Sequence, residues 1–335
     1  MKATALICTE KQEFQLRPVT LPDPAADQIA IRTVYSGVSI GTEFALIRNK
    51  ISWGPFPLCT GYQGTGIVTA VGSAITNFKP NDKVYFRGND AMTLDDGSKV
   101  SCVAGTHCSH AVLKPNTSHG ADHVTHGAGM DVASMFVLPA VGLYGVDMAG
   151  PGFGQTVVVH GIGLIGLGVV AACVGRGCVV IAVDINPEQL NKAKAFGADY
   201  VINSGEQDLT AEVMKISPGG ADVVFEVTGL PKCIDRSVAL ARRDGSFVWQ
   251  GNYGTAPVVF DFQAAHARRL KMYFPCDDGL QPCRRAVIKQ MGLGVLKWEH
   301  AITHRVDFRE SASLFSSINQ GSKEITGAVI RWSHE

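Results

Sequence analysis

Glycines 161, 163 and 166 of HGIGLIG stand in G-x-G-x-x-G spacing. They follow the apolar run QTVVVHG and open the helical run LIGLGVVAACVGRG, and the next strand, CVVIAVD, ends in Asp184. This strand–turn–helix–strand context is that of a dinucleotide-binding loop. Gly161 permits the tight turn. Gly163 lets the main chain approach a pyrophosphate seated on the unpaired N–H groups of the helix N-terminus, and Gly166 lets the helix lie close to the sheet. A carboxylate at Asp184 binds ribose hydroxyls and repels a 2′-phosphate, so the expected cofactor is NAD (NADH) rather than NADP. Leu164, Ile165, Ile185, Thr228, Gly251 and Asn252 complete the candidate cofactor set.

The elements that must hold this loop alternate strand and helix from about Val157 onward. PEQLNKAKAFGA is an amphipathic helix opened by Asn186 as N-cap and Pro187 at the first helical position, and YVINS, ADVVFEVTG and GSFVWQG supply further strands. The rhythm predicts a doubly wound parallel sheet, a Rossmann domain over 141–275. Before it the pattern differs. KATALIC, QIAIRTVYS, GTGIVTAVG and DKVYFRG are short strands with turn signals between them, the pattern of a β-rich domain. The polar segment Asn89 to Val103 reads as a surface excursion. The tail holds two helices, HAITHRVDF and a closing strand TGAVIRW, but no core of its own. It is expected to pack back on the first domain, which then comprises 1–140 and 276–335.

Composition bounds the function. The 335 residues allow two cores, and 46% hydrophobic with 18% charged residues is ordinary for a soluble protein. Lys+Arg and Asp+Glu are both 30, so no basic field draws nucleic acid or an anionic membrane. No stretch approaches the ~20 apolar residues of a membrane span. The N-terminus lacks the long apolar core of a signal peptide. The nine cysteines are scattered and form no C-x2-C pair, which argues for reduced thiols and a cytoplasmic protein.

Several blocks carry a family resemblance: SGVSIGTE (36–43), GYQGTGIVTAVG (61–72), FKPNDKV (78–84), VVVHGIGLIG (157–166) and AKAFGADYVIN (193–203). In order and spacing the chain resembles the medium-chain dehydrogenase/reductase superfamily, the zinc alcohol dehydrogenase-like enzymes, over nearly its full length. The resemblance implies an α/β protein, with a β-rich GroES-like catalytic domain beside the Rossmann domain. It also implies hydride transfer between NAD and an alcohol or ketone. The SG-x-S-x-GTE form of the first block resembles the bacteriochlorophyllide dehydrogenase branch, which implies a tetrapyrrole alcohol as one substrate class.

The metal chemistry of that family does not match. Its catalytic zinc needs a Cys, a His and a further Cys or Glu, where this sequence has Ser39, Tyr62 and the neighbourhood of Leu138 and Pro139. Gln63 is neutral where the zinc enzymes keep an acid beside the metal. A buried carboxylate left without its dication would cost several kcal/mol. Cys102 and Cys108 alone cannot make a structural zinc lobe. The expectation is an enzyme without zinc.

The resemblance places Tyr62 at the floor of the family's cleft, facing the nicotinamide, as the candidate acid/base. Thr42 matches the family's proton-relaying hydroxyl, Ser39, Glu43 and Gln63 are neighbours, and Glu43 is the alternative base. Polyol, cyclitol or sugar-like substrates suit such a site. Two other readings stay open: a metal-free quinone or enone reductase, and an NAD-binding protein without turnover.

Other candidates have plainer readings. His119, His123 and His126, with His107 and His110 nearby, read as a polar surface loop rather than a metal site. His160 packs at a strand end. Cys173, Cys178 and Cys233 read as core. The loop around Trp53, Pro55, Phe56 and Pro57 is either a packed loop or a wall of the substrate pocket. APVVFDF (256–262) and RLKMYF (269–274) read as strands at the end of the nucleotide-domain sheet, an edge that invites a homodimer.

Overall fold

The computed structural model describes residues 1–335. The chain divides into two compact units, Met1–Val137 with Arg285–Glu335, and Leu138–Arg284. The first is built on β1 (Lys2–Cys8), β2 (Phe14–Thr20), β3 (Ile29–Val38), α1 (Thr42–Ile47), β4 (Leu58–Cys59), β5 (Gly64–Val71), β6 (Lys83–Phe86), β7 (Thr93–Leu94), β8 (Ser101–Cys102), β9 (His110–Leu113), β10 (Ala121–His123) and α2 (Met130–Ala133). The second begins with α3 (Val137–Ala149). It continues through β11 (Thr156–His160), α4 (Leu164–Gly175), β12 (Val179–Asp184), α5 (Pro187–Ala195), β13 (Tyr200–Asn203), α6 (Leu209–Ile216), β14 (Ala221–Glu226), α7 (Ile234–Val238), β15 (Ala241–Trp249), α8 (Phe262–Ala267) and β16 (Lys271–Tyr273). The helix α9 (Leu280–Gly292) leads back to the first unit, which β17 (His304–Asp307), α10 (Ser311–Asn319) and β18 (Ala328–Arg331) complete.

Two sheets form the first unit, one ordered β7-β2-β1-β4-β8 and the other β10-β6-β5-β3-β18-β17 with β9 also on β3. The closing strand β18 runs antiparallel to β3, pairing Ala328 with Val38 and Ile330 with Ser36. This fixes the last strand beside the SGVSIGTE block. Phe44, Ile47, Phe315, Ile318 and Trp332 pack one core between α1, α10 and the strands.

The second unit is a parallel sheet ordered β13-β12-β11-β14-β15-β16. Continuous apolar runs such as Val157–Val159 and Val180–Val183 are fully buried, as strands covered on both faces must be. The N-cap of α5 is formed as its sequence dictates: the Asn186 side chain accepts the Glu188 N–H and Pro187 follows it.

The structure departs from the sequence reading in four places. Asn89–Val103 is not a surface excursion. It contributes β7 and β8, and Met92, Leu94 and Val100 join a buried cluster with Val19 and Cys59, because its polar residues alternate with apolar ones that face inward. The histidines do not form one loop. His107 is fully buried, whereas His123 lies in β10 with its ring stacked on Phe78. Cys233 is only partly buried, in a short 3-10 turn, while Cys173 and Cys178 are buried. APVVFDF is not a strand. It runs irregularly until Asp261 caps α8 by accepting the Ala264 N–H, and only Lys271–Tyr273 adds to the sheet.

Candidate active site

The candidate cofactor residues gather at the C-terminal ends of the parallel strands. The sheet order places β12 on one side of β11 and β14 on the other, so the winding reverses at the β11–β14 neighbours. Ligands of doubly wound sheets bind at such a switch point. Gly161 directly follows β11 with φ +102°, and a Cβ there would stand 2.8 Å from Thr228 N, two residues past the end of β14. A Cβ on Gly166 would stand 2.0 Å from Gly161 O, so the first turn of α4 rests on the loop. Gly163, the residue before α4, faces open space and its helix end has no side-chain cap. The N–H groups of Leu164 and Ile165 open that helix, and the dipole there favours an anion.

Asp184 is anchored by main chain: Oδ2 accepts the Ile162 N–H at 2.7 Å and Oδ1 the Asn186 N–H at 2.9 Å. Each oxygen keeps a lone pair for a ribose hydroxyl. Ile185 beside it is exposed. Gly251 and Asn252, at the end of β15, lie against Gly229. These residues fit a dinucleotide.

Sequence reasoning missed Glu226. It ends β14 fully buried, accepts from the Thr228 N–H at 3.1 Å and from the hydroxyls of Thr228 and Tyr253, and so fixes Thr228 against Gly161. Burial pushes its carboxyl up, and the donors around it work the other way. The signal in the sequence was an acid directly after the apolar run Val223–Phe225, at the end of the strand ADVVFE. His160 is buried with Nδ1 on the Ser237 hydroxyl at 2.7 Å.

In the first unit, the Tyr62 hydroxyl donates to Ser39 Oγ and stands within reach of the Thr42 hydroxyl. The Arg87 guanidinium lies 5.5 Å over the Tyr62 ring. Burial pushes the Tyr62 phenol up to about 12, and the Glu43 charge adds to the rise; the hydroxyls of Ser39 and Thr42 and the Arg87 charge oppose it. Glu43, on the first turn of α1, is 1% exposed. Its Oε1 accepts the Ser39 N–H at 2.7 Å, and its Oε2 accepts from the Thr60 hydroxyl and His107 Nε2, both at 2.8 Å. Gln63 is fully buried: Oε1 accepts the Val137 N–H at 3.0 Å, and Nε2 has no partner. The structure thus brings Ser39, Thr42, Glu43 and Tyr62 together and turns Gln63 toward Val137. Sequence reasoning did not include Thr60 and read His107 with a polar surface loop; no local pattern connects either to Glu43.

A family model described as zinc-binding dehydrogenase matches residues 165–275. An alcohol dehydrogenase of Moraxella sp. is 30% identical over 268 residues, 75% of this chain and 78% of that protein. The chain belongs to the zinc-type medium-chain dehydrogenase/reductase superfamily. Sorbitol dehydrogenase 2 of Saccharomyces cerevisiae is 28% identical over 345 residues, 95% of this chain and 94% of that one. A solved alcohol dehydrogenase from Thermotoga maritima shares the fold with a TM-score of 0.85 at 22% identity, covering 99% of each chain. This medium-chain dehydrogenase combines a GroES-like and a Rossmann domain, and it is an oxidoreductase of the alcohol dehydrogenase type that uses a nicotinamide dinucleotide.

The zinc of this superfamily finds no suitable donors here. Ser39 and Tyr62 offer a hydroxyl and a phenol bonded to one another, Glu43 is occupied by three donors, and Gln63 presents a buried N–H donor, which a cation repels. No three His, Cys, Asp or Glu side chains stand together as a metal-holding group. This donor set does not fit zinc.

Proposed function

We propose that the chain is a zinc-independent, NAD-linked dehydrogenase that interconverts a secondary alcohol and its ketone. The observation that carries the reading is the buried Tyr62 hydroxyl, held by the hydroxyls of Ser39 and Thr42 at a position where the superfamily keeps a metal ligand. A bound nicotinamide supplies the hydride in reduction and accepts it in oxidation. In reduction the Tyr62 O–H turns from Ser39 Oγ to the carbonyl oxygen and gives it the phenolic proton as the carbonyl carbon gains the hydride. The phenolate left behind is stabilised by Ser39 and Thr42 and regains its proton from solvent. Oxidation is the reverse. Asp184, anchored to the glycine loop, favours a ribose carrying a free 2′-hydroxyl, hence NAD. The sorbitol dehydrogenase relative supports a polyol or sugar-like substrate.

Two further features belong to this reading. The nine cysteines are all free, in keeping with a cytoplasmic enzyme. No helix is long and apolar enough to cross a membrane. β16 is the terminal strand of its sheet, and Val259 and Phe274 near it are exposed at 86% and 64%. An unpaired edge beside apolar surface favours a two-fold homodimer through the nucleotide domain.

Deuterated NADH incubated with a panel of ketoses, hydroxyketones and enones tests the reading. Deuterium on a carbinol carbon supports it. Deuterium at the β-carbon of an enone supports a C=C reductase instead, and no transfer to any compound rejects catalysis.

A further inference from the structure

Behind Tyr62 and Ser39 lies a buried polar chain whose far members, Glu43, His107, Ser36 and Trp332, none of the preceding chemistry uses. Trp332 Nε1 donates to Ser36 Oγ at 2.8 Å, and Ser36 Oγ meets His107 Nδ1 at 2.8 Å. The Glu43 carboxylate can only accept, which assigns the Nε2–H tautomer to His107 and leaves Nδ1 to accept from the Ser36 hydroxyl, whose oxygen accepts from the indole. Nε2 therefore donates to Glu43 Oε2 at 2.8 Å. Glu43 in turn accepts the Ser39 N–H, and Ser39 Oγ accepts from Tyr62. Ser36, Glu43 and His107 are each 1% exposed or less. A carboxylate so deeply buried costs several kcal/mol unless hydrogen-bonded, and its donors fix its orientation.

The surroundings leave His107 little freedom. Its main chain is pinned by an N–H donated to Thr60 O at 3.2 Å and a carbonyl accepting from Leu6 at 2.9 Å. Its ring meets the edge of Phe315. Gly61, with φ +90°, passes so close that a Cβ there would stand 2.8 Å from His107 Cδ2. The ring is thus fixed from three sides, and its Nε2 can act only on Glu43.

We propose that His107 is a positioning residue for Tyr62, acting through Glu43 and the main chain of Ser39. It holds the Glu43 carboxylate on the Ser39 N–H, and this sets the Ser39 hydroxyl against the Tyr62 phenol. The proposal rests on the reading of Tyr62 as acid/base but can be tested apart from it. Two amide replacements separate the two ring nitrogens. In His107→Gln the amide nitrogen falls near the place of Nε2 and keeps the donor to Glu43. In His107→Asn it falls near Nδ1 and loses that donor.

With the substrate found by the deuterium-transfer screen, His107→Asn should lower kcat about 10-fold or more, while His107→Gln stays within a few-fold of the parent. NADH affinity should not move in either. The readout independent of turnover is the NMR signal of the Tyr62 ring carbon bearing the hydroxyl, assigned by its loss in Tyr62→Phe. It should shift in His107→Asn and keep its place in His107→Gln. Glu43→Gln, which keeps shape but not charge, should shift it as well and serves if His107→Asn does not fold. Equal behaviour of the Asn and Gln variants, or a Tyr62 signal unmoved in both His107→Asn and Glu43→Gln, overturns the proposal. If no alcohol or ketone is turned over by the parent, the dehydrogenase reading fails, and the Tyr62 signal still decides the role of His107.

Discussion

The Asp184 carboxylate accepts the main-chain N–H of Ile162 at 2.7 Å, tying the acid that ends β12 to the glycine loop that ends β11. One side chain therefore has two duties, an anchor for the loop and a charge facing the ribose. Asp184→Asn keeps an acceptor and removes the charge, whereas Asp184→Ser shortens the side chain and gives up the anchor. Titration of the parent should show NADH binding more tightly than NADPH, and both variants should narrow the gap. Because the carboxylate accepts two main-chain N–H groups, Asp184→Asn, which keeps one acceptor oxygen, should also lower stability by about 1 kcal/mol, and Asp184→Ser, which keeps neither, by about 2 kcal/mol. Equal affinities for the two nucleotides in the parent would contradict the assignment.

Tyr62→Phe keeps the ring beneath Arg87 and deletes the hydroxyl bonded to Ser39. Turnover should fall roughly 100-fold, with NADH affinity unchanged. With the phenol pushed up to about 12, Tyr62 holds its proton through the neutral range. Between about pH 7 and about pH 10, ketone reduction should stay level while alcohol oxidation, which needs the phenolate, rises with pH. A mutant within a few-fold of the parent shows that Tyr62 only packs.

Zinc content follows from the donor set. Protein purified without chelator should carry well under one zinc per chain by elemental analysis, and prolonged dialysis against chelator should leave its thermal midpoint unchanged. One tightly held zinc per chain removes the case for a hydroxyl-based site.

His160 makes stability depend on pH. Burial, helped by the Arg236 charge and opposed by Asp184, lowers its imidazole from 6.5 to about 4. The neutral ring is favoured in the fold, so this contribution is complete above the unfolded value of 6.5 and is lost as pH falls toward about 4. At the acid end of that window the loss is about 3 kcal/mol. Urea unfolding near neutrality and near pH 4.5 should show His160→Gln losing less stability than the parent. Equal losses in the two proteins would show that His160 does not titrate in that window.

The sequence alone determined what short stretches can encode. The glycine loop, the helix it opens and Asp184 are contiguous over 161–184, and strand–turn–helix physics orders them without help from distant residues. The Asn186–Pro187 helix start was legible for the same reason. Glu226 and its partners Thr228 and Tyr253 were close to legible, since all lie at successive strand ends. The surroundings of Tyr62 were of another kind. His107 meets Glu43 across 64 positions, and Trp332 meets Ser36 across 296. Neither pair has a spacing that a helix or strand period would mark. They form because the antiparallel pairing of β18 with β3 brings the chain's end to the SGVSIGTE block, and because the turn at Gly61 has room for the buried ring of His107. A histidine in a polar stretch such as GTHCSH reads as exposed from composition. Only the tertiary structure, by burying a carboxylate that needs donors, gives its ring a partner.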